Sequence, residues 1–129
     1  MRLASEIWVS ALIRRAFAAG AAALVRRRGD ATAGAIWVVV DRLDGTVDLH
    51  VPRPQSEVGV ADADDRRFET VLAGAPAAEV GTRIDRETRF DSDLWVVEVE
   101  DRDGRSFIEP PPVDPRAAPP ERPVWPPKM

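Results

Sequence analysis

AIWVVVDRLDGTVDLHV, running from Ala35 to Val51, decides the fold of this chain. Its first part, Ala35–Asp41, is rich in β-branched and aromatic side chains, which pack well on a pleated surface and lose rotamer freedom in a helix. Asp44-Gly45 is a strong hairpin turn signal, because a tight turn wants positive φ where glycine sits. Beyond it, Val47, Leu49 and Val51 alternate with Thr46, Asp48 and His50, the period of a half-buried strand. Pro52 and Pro54 end the run, since proline cannot donate to a ladder. This stretch predicts a hairpin with Asp48 and His50 on its solvated face.

A second stretch, Leu94–Glu100 (LWVVEVE), has the same character and puts Trp95, Val97 and Val99 on one face. Asp103-Gly104 closes it, with a brief return over Ser106–Ile108. Ile36-Trp37-Val38-Val39 followed by Asp41-Arg42 and Asp44-Gly45 looks like Leu94-Trp95-Val96-Val97 followed by Asp101-Arg102 and Asp103-Gly104. Strand and turn chemistry narrows the residue menu, so two independent solutions explain the likeness better than a duplication.

Before the hairpin, two readings of the first segment stay open. In one, Glu6–Ser10 is a short strand, Ser10 caps a helix over Ala11–Ala19, and Gly20 terminates it. In the other, a single helix runs from Glu6 through Ala19. Ala21–Arg28 follows as a strand ending in charge. After the hairpin, Phe68, Val71 and Leu72 stand at i, i+3 and i+4, with Asp62, Asp64 and Asp65 where the helix dipole favours acids. That pattern predicts a helix near 63–73, stopped by Gly74. Pro76 opens another helix near 77–89, with Val80, Ile84 and Thr88 on one face. The expectation is an α+β fold: a mostly antiparallel sheet of four to five strands, with about three helices packed on one face and the other face left open.

The length, 129 residues, suits one domain. We place it at 1–109. Nine of the twelve prolines lie between Pro110 and Pro127, so 110–129 reads as an extended or disordered tail. The interruptions Glu6, Arg14 and Arg15 leave no apolar run near the ~20 residues a membrane span needs. Cytoplasmic location without membrane attachment is the expectation. The net charge of −4 argues against nucleic acid as a partner.

The chain has no Cys, no Tyr, one His and one Lys, so most side-chain chemistry near neutral pH lacks its usual carriers. His50 is read as a surface residue. One imidazole without a thiolate makes no conventional zinc site. Asp101, Asp103, Gly104 and Glu109 fail the calcium-loop template, because Val99 and Pro110 fall where acids are required. Asp91 and Asp93 flank Ser92 in a polar connection. Ser10 and Ser56 lack the nucleophile-elbow glycines, and Gly29, Gly34 and Gly45 are too spread to cradle phosphate. No catalytic residue, metal site or cofactor is assigned.

The guanidinium groups are the main binding candidates. Arg14, Arg15, Arg26 and Arg28 would grip an anion or an acidic partner if the first helix packs beside the strand holding Arg26–Arg28. Consecutive strand residues point to opposite faces, so the whole Arg run cannot converge, and a solvated edge that blocks strand pairing is the simpler role. Trp8, Trp37 and Trp95 lie in apolar runs and read as core. In the tail, Pro112–Pro115, Pro120–Pro123 and Pro123–Pro126 fit Pro-x-x-Pro, and Trp125 is an anchor candidate for a protein partner.

The runs SEIWVSALIRRAFAAG and RRRGDATAGAIWVVV, RPQS at Arg53–Ser56, DDRRFE at Asp64–Glu69 and RFDSDLWVVEVED at Arg89–Asp101 resemble a group of short bacterial proteins, the domain-of-unknown-function family fourteen-ninety-one. The resemblance covers about residues 2–101. It implies a small bacterial domain and carries over no activity, cofactor or catalytic residue. Together these readings favour a small non-enzymatic binding or adaptor protein of unknown ligand, acting through a sheet face or edge, the Arg groups or the Pro-rich tail. Its oligomeric state is left open. The alternative is a small enzyme that uses Asp62, Asp64, Asp65, Asp91 and Asp93 with Arg on an anionic or phosphorylated metabolite, with a divalent metal.

Overall fold

Trp8, Val9, Leu12 and Ala16 form one apolar stripe at helical spacing, and all four are buried. That stripe makes Ser5–Ala18 a single helix, α1, and settles the first segment: no strand forms at 6–10, and Ser10 lies exposed inside the helix rather than capping it. The computed structural model describes residues 2–54 and 66–116. No side chain caps α1. Instead Ser5 and Glu6 donate their N–H groups to the Thr32 and Ala31 carbonyls at 3.1 and 3.0 Å, a cap supplied by a distant loop. Gly20, at φ +85°, ends the helix, and Ala21 N–H reaches back to the Ala16 carbonyl at 2.9 Å.

The strands are β1 (Ala22–Arg27), β2 (Ile36–Asp41), β3 (Thr46–Pro52), β4 (Phe68–Pro76) and β5 (Trp95–Glu100), with a second helix, α2 (Ala77–Phe90), between β4 and β5. The predicted β2–β3 hairpin and the helix after Pro76 are both present. Among the described residues the fold is α+β with two helices rather than about three, and its five-stranded sheet is mixed, one of its four pairings being parallel. Strand order is β1-β5-β2-β3-β4; β2 and β5 run parallel and every other pair is antiparallel.

The helix expected near 63–73 is where the sequence pattern misleads. Residues 63–65 lie outside the described residues, and from Phe68 the chain is strand. Two register shifts against β3 place extra residues in β4 and break its period of two. Phe68 therefore packs on the α1 side while Val71 and Leu72 pack on the other, at a spacing that imitates a helix face.

The expectation that the helices share one face is also corrected. Ile36, Val38, Val40, Trp95, Val97 and Val99 pack with α1, whereas Trp37, Val39, Leu49 and Val96 pack with Val80 and Ile84 of α2. β2 and β5 are thus buried on both sides, which is why both read as continuous apolar runs. Their likeness in sequence is offset in space. Ile36 lies beside Trp95, and Trp37 beside Val96, so the two tryptophans point to opposite layers.

After β5 the chain turns through Gly104 (φ +73°), and no return strand forms at 106–108. It crosses the α1 side of the sheet, burying Ile108 in that core, and reaches the outer edge of β4. There Val113 bridges Glu69 in parallel: Thr70 N–H donates to the Val113 carbonyl at 2.8 Å, and Val113 N–H to the Phe68 carbonyl at 3.1 Å. Residues 117–129, with Trp125 and two of the three Pro-x-x-Pro segments, lie outside the described residues. Among the described residues no helix is long and apolar enough to cross a membrane.

Candidate functional site

His50 is not on a solvated face. It neighbours Val38 of β2 and shares the α1 side of the sheet, beneath the chain that runs from 105 to 114. Only 6% of it is exposed. The alternation in β3 holds, but the face assumed to meet water is covered. Nδ1 lies 2.9 Å from Thr70 Oγ1, while Nε2 is buried with no hydrogen-bond partner. Burial pushes the imidazole down to about 4; Asp48 and Asp114 oppose that shift and Arg42 reinforces it. The ring is neutral at pH 7.

A hydroxyl beside an imidazole is the start of an activated nucleophile. Two observations remove that role. His50 and Thr70 are both buried, which leaves a substrate no approach. The Asp48 carboxylate, which would have to orient the ring, is engaged elsewhere: Oδ1 accepts Gly74 N–H at 2.7 Å, and Oδ2 accepts Arg42 Nε at 3.0 Å. The Arg42 guanidinium in turn lies against Gly104, where any Cβ would collide with it.

Among the described residues no group of three His, Asp or Glu side chains is arranged to hold an ion. Asp91 accepts the Asp93 N–H at 2.9 Å, a turn contact. Asp62, Asp64 and Asp65 lie outside the described residues, and the helix meant to explain them is not formed over Phe68–Pro76. A shallow hollow of about 450 Å³ is lined by Gly20, Ala22, Leu43, Glu100, Asp101 and Asp103, among others. Asp101 there is already held by Arg105 at 2.8 and 3.0 Å, and that hydrogen bonding draws its carboxyl below the usual range.

The Arg candidates are spread along α1 and β1. Arg15 donates to the Phe107 carbonyl at 3.0 and 2.7 Å. Arg28 pairs with Glu6 at 2.6 Å and lies over the Trp95 ring, 5.1 Å from its centre. Glu6 and Arg15 stand ~13 Å apart along the helix axis, so Arg15 and Arg28 do not share a site. Arg26 faces Glu98 at 3.7 Å. Arg14 is exposed, and no ion pair joins it to another described residue.

Arg66 stands outside the guanidinium groups singled out as binding candidates. It is 8% exposed and donates through Nη2 to the Leu3 carbonyl at 3.0 Å and to Ser5 Oγ at 2.9 Å. Ser5 passes its own proton to the Gly34 carbonyl at 2.6 Å. Burial lowers the Arg66 guanidinium to about 10. This network fixes the start of α1 against the 30–34 loop.

Among the described residues, no strand pairs with the outer edge of β1. Trp95 N–H donates to the Ala35 carbonyl at 2.8 Å, and Asp101 N–H to the Asp41 carbonyl at 3.0 Å. Residues 95, 97 and 99 therefore bond toward β2, and Val96, Glu98 and Glu100 toward β1. Ala22 and Leu24 pair with Glu100 and Glu98, so their backbones face β5. Ala23 and Val25 are left with N–H and C=O pointing out of the sheet. Leu24 and Val25 are 45% and 40% exposed. The Glu6–Arg28 pair turns one flank of α1 toward this edge, and Ile13 and 60%-exposed Phe17 lie on that flank. A bulge between Val25 and Arg27 and the Arg run guard only the far half of the strand.

Solved structures share this fold. The solution structure of protein Atu0922 from A. tumefaciens is 48% identical, with a TM-score of 0.75, and the match covers 92% of this chain and 100% of that one. A crystal structure of a DUF1491 family protein from Caulobacter crescentus CB15 is 41% identical, with a TM-score of 0.72, over 88% of this chain and 98% of that one. An NMR structure of a DUF1491 family protein from the same source gives 0.71 at 41% identity. No curated protein matches. The family model described as "Protein of unknown function (DUF1491)" spans residues 3–109, and with these relatives it establishes that the chain belongs to the DUF1491 family.

Proposed function

We propose that this protein is a non-enzymatic binding module that takes up an extended polypeptide segment as an added strand on β1. The supporting observation is the outward-facing backbone of Ala23 and Val25 beside exposed Leu24, Val25 and Phe17. Strand addition draws affinity from main-chain hydrogen bonds and specificity from alternate side chains. Residues on one face of the guest strand would meet Val25 and Phe17, and those on the other Leu24. Exposed Arg14 and Arg26, the latter 3.7 Å from Glu98, favour acidic residues in the guest.

The test is selection of short unstructured peptides from a displayed library on the immobilised full chain. Binders should alternate apolar residues with Asp or Glu. Their amide shift changes should cluster at 22–28 and 13–17, and Val25→Pro should abolish binding without changing the circular dichroism. Shift changes centred on α2, or binding that survives Val25→Pro, would refute the proposal.

A further inference from the structure

We propose that the chain from 105 to 114 is a latch kept shut by an uncharged His50, and that a proton taken up by this imidazole releases it and bares the outer edge of β4. The latch is lightly held. Two main-chain hydrogen bonds join Val113 to Phe68 and Thr70, Ile108 fills the core, and Arg15 clasps the Phe107 carbonyl. The imidazole beneath is anchored at Nδ1 only, by the same Thr70 whose backbone holds Val113.

Protonation makes both ring nitrogens donors, so Nε2–H then needs an acceptor. The charged groups facing the ring are Asp48 on its own strand, Arg42 at the end of β2, and Asp114 on the latch. Asp48 has both oxygens committed, to Gly74 and Arg42. Asp114 stands outside hydrogen-bonding reach of Nε2, and its Oδ1 accepts from Arg116, through N–H at 2.9 Å and Nε at 3.3 Å. On β4 the neighbours are neutral Thr70 and Phe68, the latter stacked on Trp8 at 5.1 Å. A charged ring under the closed latch lacks an acceptor, whereas opening admits water and removes that cost. Phe68 C=O and Thr70 N–H, the groups Val113 now occupies, would then be open to another strand.

Native-state hydrogen exchange tests this directly, because the Val113 and Thr70 amides are the two latch donors. Closed, His50 titrates at about 4; open to water it returns to its ordinary 6.5. The protection factors of both amides should fall about tenfold per pH unit across that window, ~300-fold in all. Val97, at the sheet centre, should keep its protection. His50→Asn should make the latch amides insensitive to pH. Flat protection in the wild type would sink the idea, as would a loss that Val97 shares or one that persists in His50→Asn. Should His50→Asn not fold, the wild-type comparison of Val113 with Val97 still decides.

Discussion

Arg42 Nη2 stands 2.8 Å from Asp48 Oδ2, across the β2–β3 turn, and the Asp48 side chain is only 4% exposed against 36% for Arg42. The pair is unequal. Asp48 also accepts the Gly74 N–H, so it joins the hairpin to the irregular part of β4. Asp48→Ala should cost about 2–4 kcal/mol, since it strands a guanidinium and a bulge N–H together. Arg42→Ala should cost about 1 kcal/mol, because water reaches its place. Urea unfolding of both variants checks the order; equal losses would contradict it.

Acid should act on stability in two separate windows. His50 is depressed from 6.5 to about 4, so its stabilisation is complete above 6.5 and declines as pH falls toward 4. The decline is at most about 3 kcal/mol, because release of the latch caps it. Asp101 is held below 3.8 by Arg105, so its contribution is present above 3.8 and is lost only at lower pH. Urea midpoints across pH should lose the first decline in His50→Asn and be blunted at the acid end in Asp101→Asn.

The direction of the β1 backbone can be checked without a ligand. Val25 N–H points away from the sheet, so Val25→Pro should cost no more than about 1 kcal/mol. Leu24 N–H points to β5, so Leu24→Pro should cost about 3 kcal/mol or more. Thermal unfolding separates the two; equal costs would mean that both amides are used.

Two glycine substitutions should act in opposite senses. A Cβ at Gly29 would strike the Asp93 carbonyl, the Leu94 backbone and the Trp95 ring, so Gly29→Ala should destabilise by about 2–4 kcal/mol. Gly81, inside α2, has nothing within 4 Å of an added Cβ, so Gly81→Ala should stabilise by about 0.5–1 kcal/mol. Thermal midpoints moving down and up respectively are the expected result.

Local chemistry explains what was legible beforehand. The hairpin at Asp44-Gly45, the helix after Pro76 and the buried tryptophans follow from residue type and spacing, and all are present. β4 was not legible, because its irregularities leave Phe68, Val71 and Leu72 at helical intervals. The burial of His50 was hidden as well: polar residues alternating in β3 look solvated unless one knows that a segment more than fifty positions later lies over them. Of the candidate site, the composition of the Arg run was visible. The Arg run also read as a solvated edge, and β1 is an edge strand; what was not legible is that its neighbour is β5, because that depends on β5 inserting between β1 and β2.

That insertion also dictates the order in which the molecule is assembled. β2, β3 and β4 are neighbours in sequence and in space, and they are free to associate as soon as they exist. β1 is made earliest of the strands yet has no partner until the last one arrives. α1 waits with it, since the layer it seats on includes Trp95, Val97 and Val99. Closing so long a loop is slow. A nascent chain on the ribosome therefore carries α1 and β1 undocked until β5 emerges, and that final strand is the keystone without which the two parts of the protein do not meet.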